Sequence, residues 1–273
     1  ASGARISSVL EVENTLEHIE DDNVYVSHAV AFDNVSLMYK GAGEESLSNI
    51  SFSADRGQIV GIIGSTGSGK SSLVSLISHY YDSTKGRVTL FGRDVKSISE
   101  NEINSKIGFV MQKAVLFSGT VRDNMKWGKR NATDDEIDNA LRLAQVYDNI
   151  YDKDGLDTYI EQGGANLSGG QKQRLSVARA LVSKPEIIVL DDSSSALDFA
   201  TEKAMRQAIL SLDYKPTLFI VSQRASSVLS ADKILVLDDG ELVGMGTNDE
   251  LLKTCEVYRE IYSSQFTQEE AYE

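Results

Sequence analysis

Residues Gly64 to Ser71 have the types and spacing of a phosphate-binding loop. They read Gly-Ser-Thr-Gly-Ser-Gly-Lys-Ser and fit the pattern G-x-x-x-x-G-K-[ST] at every fixed position. Glycines let the backbone fold tightly enough to point several N–H groups at one anion, and a helix from about Lys70 adds its positive end. Lys70 is expected to reach the β- and γ-phosphates of a nucleotide, and the Ser71 hydroxyl is expected to bind Mg²⁺.

The flanking sequence supplies the elements that must position this loop. The apolar run 58–63 predicts a buried strand that enters it, and residues 72–77 predict the helix that leaves it. The alternative is a glycine-rich turn that happens to precede Lys-Ser. The expected nucleotide-binding residues are Gly64, Ser65, Thr66, Gly67, Ser68, Gly69, Lys70, Ser71 and Ser72.

Two adjacent carboxylates form a second candidate group. The apolar residues 187–190 carry Asp191 to the C-terminal edge of a predicted sheet, where it can hold Mg²⁺ beside Ser71, directly or through water. Asp192, one place further on, is then positioned to contact an attacking water. The alternative is that the two acids merely cap a strand.

Composition limits the class of protein. The 273 residues are 41% apolar, which allows one large domain or a domain with a subdomain. The net charge of −14 argues against a general nucleic-acid surface. The lone Cys255 excludes an internal disulfide and a cysteine-based metal site, which favours a reducing setting. Because no apolar run reaches the length of a membrane span, the chain itself is expected to be soluble.

Periodicity predicts a parallel α/β core with antiparallel additions. Residues 29–39 and 47–52, joined by a glycine loop, fit an antiparallel hairpin, and Asp238-Asp239-Gly240 signals another. A mainly helical block is expected from about 114 to 155, with Thr133 as a cap. Further strands are predicted at 87–92, 106–112, 186–192 and 217–221.

A third motif lies between the phosphate loop and the carboxylates. Its residues are Leu167, Ser168, Gly169, Gly170 and Gln171. Ser168 and two glycines at a helix start form a second anion site, although a simple helix cap is the alternative. The run resembles the signature of the ATP-binding cassette (ABC) family, and the resemblance covers about residues 24–265. It implies a RecA-like P-loop NTPase core with an antiparallel β subdomain and an inserted α-helical subdomain, and ATP and Mg²⁺ as ligands.

The resemblance also implies roles for single residues. Tyr39 matches the aromatic that stacks on adenine, unless it is a core strand residue. Gln112 matches the glutamine that touches Mg²⁺ or the attacking water and senses the membrane domain. Asp198, in the run Ser195-Ala196-Leu197-Asp198, matches the loop that communicates across a dimer. In this family each signature closes over ATP held by the phosphate loop of a second cassette.

The run Phe117 to Asn124 looks like the exporter branch of the family. That branch implies a linker helix at 1–22 that continues from a transmembrane domain missing from this chain, and a nucleotide-binding domain at 23–265. The helical subdomain is expected at about 113–168, and a polar tail at 266–273. The expected location is the cytoplasmic face of a membrane, with multidrug export as the related activity and no nucleic-acid partner.

Two departures from the family fall on hydrolytic groups. Asp192 replaces the usual glutamate and is one methylene shorter, and Gln223 replaces the usual histidine and cannot titrate near neutral pH. The sequence therefore predicts an ATPase whose own site is impaired, with Asp192, Gln223, Gln112 and Lys70 as its catalytic set. The intact signature would complete the site of a partner cassette, as in one half of a heterodimeric exporter, although a homodimer is possible. Just before the signature, residues 161–164 also depart from the exporter pattern.

Two alternatives stay open on sequence alone. One is a soluble ABC ATPase that acts on ribosomes or DNA, against which the exporter-like run, the single cassette and the acidic balance count. The other is a regulatory nucleotide sensor without useful hydrolysis.

Overall fold

Strands and helices alternate along most of the chain. The computed structural model describes residues 15–20, 28–193 and 197–269. The strands are β1 (Val30–Leu37), β2 (Leu47–Ala54), β3 (Ile59–Ile63), β4 (Lys85–Leu90), β5 (Arg93–Asp94), β6 (Ile107–Val110), β7 (Gly119–Thr120), β8 (Tyr159–Ile160), β9 (Ile187–Asp191), β10 (Thr217–Ser222), β11 (Lys233–Asp238) and β12 (Glu241–Gly246). The α-helices are α1 (Lys70–Ile77), α2 (Glu100–Lys106), α3 (Val121–Lys126), α4 (Asp134–Leu143), α5 (Tyr147–Tyr151), α6 (Gly169–Leu181), α7 (Phe199–Leu210), α8 (Asn248–Thr254) and α9 (Glu256–Glu269).

The central sheet has the strand order β12-β11-β3-β10-β9-β6. All neighbours are parallel except β11 and β12, which form the predicted hairpin around Asp239 and Gly240. A parallel pair needs a crossover connection, so helices lie on the faces of this sheet. The predicted parallel α/β core with an antiparallel addition is confirmed.

A second, antiparallel sheet has the order β2-β1-β4-β5. The predicted hairpin of β1 and β2 is confirmed, with Val30 opposite Ala54 and Leu37 opposite Leu47. Strand β4 pairs with the other edge of β1 and continues into the short β5.

Alternation along the central strands divides the core into two layers. In β9, Ile188 and Leu190 face the helical layer, which includes Tyr258, whereas Ile187 and Val189 face α1 and the antiparallel sheet. Successive side chains of a strand point to opposite faces, so uninterrupted apolar runs fill both layers at once. This packing fixes the central sheet, and with it the edge where its strands end.

The helical block is inserted between β6 and β9. Its helix α4 begins after Thr133, whose hydroxyl accepts from the N–H of Glu136 while the Glu136 carboxylate accepts from the N–H of Thr133. The predicted cap is therefore confirmed. The first helix starts only at Val121, because Gly119 and Thr120 pair with β8.

Two predicted segments differ from the structure. Residues 15–20 are not helical: the N–H of Glu17 donates to Asp82 and the N–H of Ile19 donates to the Lys96 carbonyl, so the backbone is bound to the domain surface instead. The rest of the predicted linker helix, residues 1–14 and 21–22, lies outside the described residues. The predicted polar tail overlaps α9 at 266–269, and 270–273 lie outside the described residues.

No helix within the described ranges is long and apolar enough to cross a membrane.

Candidate nucleotide-binding site

The phosphate loop connects β3 to α1, as its sequence predicts. Gly67 and Gly69 adopt left-handed backbone angles, with φ of 86° and 94°. A Cβ atom on Gly64 would lie 2.1 Å from the carbonyl oxygen of Leu237, so this position has no room for a side chain. The glycines thus allow the backbone angles of the turn, and Gly64 also allows the loop to lie close to β11.

Lys70 is buried at the start of α1 and folds back over the loop. Its ammonium donates to the carbonyl oxygens of Gly64 (2.9 Å) and Ser65 (2.5 Å) and to the hydroxyl of Ser68 (3.2 Å). Burial lowers the pKa of Lys70, and the carboxylates of Asp191 and Asp192 oppose this shift. The positive charge is therefore held under the loop and beside the two acids.

Ser71 and Asp191 form an oxygen pair beside Lys70. The Ser71 hydroxyl donates to Oδ1 of Asp191 over 3.2 Å. Burial raises the pKa of Asp191 and the charge of Asp192 adds to the rise, while Ser71 and Lys70 oppose it. Hydroxyl and carboxylate oxygens suit Mg²⁺, and a divalent cation would offset the cost of the buried negative charge. Among the described residues no three His, Cys, Asp or Glu side chains form a group that could hold a metal ion. A cation held by Ser71 and Asp191 would also take oxygens from a phosphate.

Asp192 lies immediately beyond β9 with a left-handed backbone, φ 43°. Its N–H donates to the carbonyl of Val221 over 3.0 Å, which holds the residue against the end of β10. Its Oδ2 accepts a hydrogen bond of 3.1 Å from Nε2 of Gln112, which lies beyond β6. Asp192 is thus held by the ends of the two strands that flank β9.

Gln223 follows β10 at the same edge of the sheet. Its side-chain Oε1 accepts a long hydrogen bond, 3.4 Å, from the hydroxyl of Thr66 in the phosphate loop. Because the carboxyl ends of parallel strands meet at one edge, β3, β6, β9 and β10 deliver the loop, Gln112, the two acids and Gln223 to one place.

A cleft of about 630 Å³ opens at this edge. The structure brings together there most of the residues predicted for nucleotide, metal and catalysis. Tyr39 does not line the cleft: its hydroxyl donates to Ser72 over 2.9 Å, and its ring packs edge-on against Tyr81 at 4.9 Å between centroids. The predicted residues in the lining are Thr66, Gly67, Gly69, Lys70, Ser71, Ser72, Gln112, Asp191, Asp192 and Gln223.

Besides Val221 in β10, sequence reasoning missed two parts of the wall. One is the loop 42–46, and the other is Asp239 with Gly240. The loop leads into β2, where the N–H of Ser48 donates to the Gly240 carbonyl over 2.8 Å. Turn residues mark both segments in the sequence, but a turn signal does not tell which cleft the turn will border.

The signature run lies at the start of α6 and lines no part of this cleft. Ser168 is exposed, and its hydroxyl accepts from the N–H of Gln171 while Oε1 of Gln171 accepts from the N–H of Ser168. The helix cap, which the sequence offered as the alternative to a second anion site, is present. Further along α6, Gln173 donates to the carbonyl of Met111 over 3.3 Å, so the signature helix is bound to the residue next to Gln112.

The sequence profile of the family described as ABC transporter matches residues 47–195, more than half of the chain. This chain belongs to the ABC transporter family. It is an ATP-binding domain with the ABC ATPase fold, homologous to exporter-type ABC ATPases.

Several relatives of this ABC domain support that assignment. An uncharacterized ABC transporter ATP-binding protein, YfiB of Bacillus subtilis, is 44% identical over 270 residues, which are 98% of this chain and 47% of the relative. The putative multidrug export ATP-binding/permease protein YgaD of the same organism is 38% identical over 237 residues, 86% of this chain and 41% of the relative. The structure of a bacterial Atm1-family ABC exporter with ATP bound aligns with a TM-score of 0.88 at 31% identity, covering 96% of this chain and 46% of the exporter. The chain spans about half the length of the relatives that it matches.

Asp198 of the ABC domain caps α7 rather than lining the cleft. Its carboxylate accepts from the N–H of Thr201 over 2.9 Å and from the Thr201 hydroxyl over 2.8 Å. These bonds lower the pKa of Asp198, and the charge of Arg174 on the signature helix contributes to the shift. Ser195 and Ala196 of the same predicted loop lie outside the described residues.

The exporter-like run of the ABC domain is held by Asn124, whose side chain is fully buried. The amide accepts from the N–H of Phe117 over 2.9 Å and donates to the carbonyls of Phe117 (2.8 Å) and Thr120 (3.0 Å). Residues 161–164, which differ from the exporter pattern just before the signature, contain a short 3-10 turn, Gln162–Gly164. Gly163 and Gly164 of this turn have positive φ.

Proposed function

We propose that the chain is the ATP-binding cassette of an exporter-type ABC transporter, and that its own site binds Mg-ATP firmly but hydrolyses it slowly. The observation that carries the proposal is the composition of the cleft. Lys70, Ser71 and Asp191 supply the groups that hold a nucleotide, whereas the groups that would use it are the short acid Asp192 and the neutral Gln223.

In this proposal the phosphate loop and Lys70 hold the β- and γ-phosphates, and Ser71 and Asp191 hold Mg²⁺. The cation supplies neutralisation of the phosphate charge when it is bound. Gln112 holds the carboxylate of Asp192, which orients the attacking water. Because aspartate is one methylene shorter than glutamate, this carboxylate lies further from the water than that of a glutamate would. Gln223 donates to the γ-phosphate but takes up no proton, so it binds without assisting proton transfer.

The signature serves a second cassette in this proposal. Ser168 to Gln171 lie off their own cleft, which suits a helix start presented to ATP on another chain. Asp198, at the start of α7, communicates between the two sites. ATP binding then closes the pair of cassettes, and hydrolysis in the partner's site resets it. We propose a heterodimer, since a partner with glutamate and histidine at the two altered positions would hold the competent site.

Export requires a membrane domain, which we place on the same polypeptide by analogy with relatives named as ATP-binding/permease proteins. The proposed organisation is a linker at 1–22, the cassette at 23–265 with its helical subdomain at about 113–168, and a tail at 266–273, on the cytoplasmic face of a membrane. Tyr39, beside Ser72 of the phosphate-loop helix, is the proposed adenine contact.

The test compares hydrolysis with binding in the purified chain. The chain should bind Mg-ATP yet turn it over very slowly, and Asp192→Glu combined with Gln223→His should raise turnover by about 10²-fold, the lower end of general acid–base effects. Lys70→Ala in the doubly substituted chain checks that the gain arises in this cleft. Brisk hydrolysis by the unmodified chain would contradict the proposal.

A further inference from the structure

The last helix reaches the segment that carries Gln223. Gln265 lies on α9, and its side-chain amide contacts the backbone of residues 223–225 at two points. Its Nε2 donates to the Gln223 carbonyl over 2.8 Å, and its Oε1 accepts from the N–H of Ala225 over 2.7 Å. The orientation of the amide follows from its partners, because a carbonyl only accepts and an N–H only donates.

This contact provides hydrogen-bond partners for backbone groups that lie outside regular secondary structure. Ala225 is fully buried, and a buried N–H without an acceptor is costly. The segment is irregular: β10 ends at Ser222 and a short 3-10 turn occupies Ala225–Ser227. The Ser222 hydroxyl accepts from the N–H of Arg224 over 2.9 Å, so side chains bind the backbone on both sides of Arg224, where strand pairing has ended.

Gln265 is held by a helix that is docked into the core. Tyr258 is fully buried and its hydroxyl donates to Asn248 over 2.9 Å. Tyr262 and Phe266 stack at 4.4 Å between ring centroids and pack against the helical layer of the core. Positions 258, 261, 262 and 265 are spaced by three and four residues, which places Gln265 on the docked face of α9.

We propose that Gln265 is a positioning residue for the nucleotide site. By fixing the backbone on both sides of Arg224, its amide sets where the side chain of Gln223 stands in the cleft, 3.4 Å from Thr66. Through this contact the C-terminal helix tunes the site's preference for nucleoside triphosphate over diphosphate. The inference rests on the proposed contact of Gln223 with the γ-phosphate.

The experiment measures ATP and ADP affinity separately in the intact chain, with Mg²⁺ present. Gln265→Ala should weaken ATP binding about three- to tenfold, the factor of one net hydrogen bond, and leave ADP binding unchanged. Gln265→Glu has the same shape but lacks the donor to the Gln223 carbonyl, so it should behave like Gln265→Ala. Ser264→Ala, at an exposed position on the same helix, is the matched control and should change neither affinity. Unchanged ADP binding also shows that each variant is folded.

Gln223→Ala completes a double-mutant cycle with Gln265→Ala. If Gln265 acts through Gln223, the double variant binds ATP no more weakly than Gln223→Ala alone. Additive losses, or equal losses for ATP and ADP, would overturn the inference in favour of a merely structural role.

Amide hydrogen exchange over residues 222–227 separates this inference from the proposed function. Gln265→Ala should speed exchange there, and unchanged exchange would overturn the positioning role. Faster exchange together with a Gln223→Ala variant that still distinguishes ATP from ADP as before would instead overturn the γ-phosphate role proposed for Gln223.

Discussion

Gln112 donates its side-chain amide to Asp192, with 3.1 Å between Nε2 and Oδ2. The bond joins the ends of two neighbouring parallel strands, β6 and β9, across 80 residues of sequence. It therefore binds Asp192 to the segment that leads into the helical block between β6 and β9.

Removing this bond should slow hydrolysis without weakening binding. We expect Gln112→Ala to lower the single-turnover rate of ATP hydrolysis about three- to tenfold, because Asp192 loses one hydrogen bond that holds it. The affinity for Mg-ATP should change less than twofold, since Lys70 and Ser71 remain. Lys113→Ala at the exposed neighbouring position is the control. Rapid-quench and equilibrium binding measurements check both quantities, and a rate equal to that of the unmodified chain would show that Asp192 needs no such support.

The Asp191 carboxylate should lower the stability of the metal-free chain, although it provides a ligand for Mg²⁺. Burial raises the pKa of Asp191 in the folded chain above its ordinary value of 3.8. Between the ordinary pKa and the raised pKa, the folded chain holds more protons than the unfolded chain. The free energy of unfolding should therefore fall as pH rises through that window. Asp191→Asn removes the buried charge and should raise the melting temperature by a few degrees at pH 7, and by less near pH 4.

The same substitution should abolish the dependence of ATP affinity on Mg²⁺, because a neutral amide is a weaker ligand for the cation. Thermal denaturation at several pH values, with and without Mg-ATP, checks both effects. An Asp191→Asn variant less stable than the unmodified chain at pH 7 would mean that the Ser71 contact outweighs the cost of burial.

Ser168 and Thr133 offer a matched pair of helix caps, since each forms the same reciprocal bond with the third residue of its helix. Replacing either with alanine should cost about 1 kcal/mol of helix stability. Ser168→Ala alone should reduce ATP-dependent association with a second cassette, because its helix start carries the proposed trans contact. Light scattering with Mg-ATP measures the association. Equal behaviour of the two variants would count against a role of the signature in the partner's site.

Asn124 should be a stability position rather than a binding position. Asn124→Ala removes a fully buried amide, leaves part-buried backbone groups of Phe117 and Thr120 without their partners, and should cost about 2–3 kcal/mol. Asn124→Asp keeps the shape but cannot donate to the two carbonyls, so it should be at least as destabilising. Asn166→Ala, at an exposed position with two comparable backbone bonds, is the control and should cost about 1 kcal/mol or less. Urea denaturation measures the differences, and equal losses at both positions would contradict the importance of burial.

Local signals predicted several elements correctly. The phosphate loop depends on glycines at positive φ and on a helix that starts at Lys70, and both follow from residues close in the chain. The helix caps at Thr133 and Ser168 also depend only on residues within one helical turn of the cap. The linker helix expected at residues 1–22 is wrong for 15–20, because Asp82 and Lys96, far along the chain, hold that backbone in another conformation.

The sequence by itself determined the class of fold, predicted phosphate chemistry for Gly64 to Ser71, and marked Asp192 and Gln223 as departures from the family pattern. Tertiary structure alone decided that Ser71 meets Asp191, that Thr66 meets Gln223 and that Gln265 reaches the backbone at 223 and 225. The first two contacts join residues 120 and 157 positions apart, and they depend on β3 lying next to β10 and β10 next to β9. Strand order is set by the packing of both faces of the sheet at once, and no periodicity within one segment carries that information.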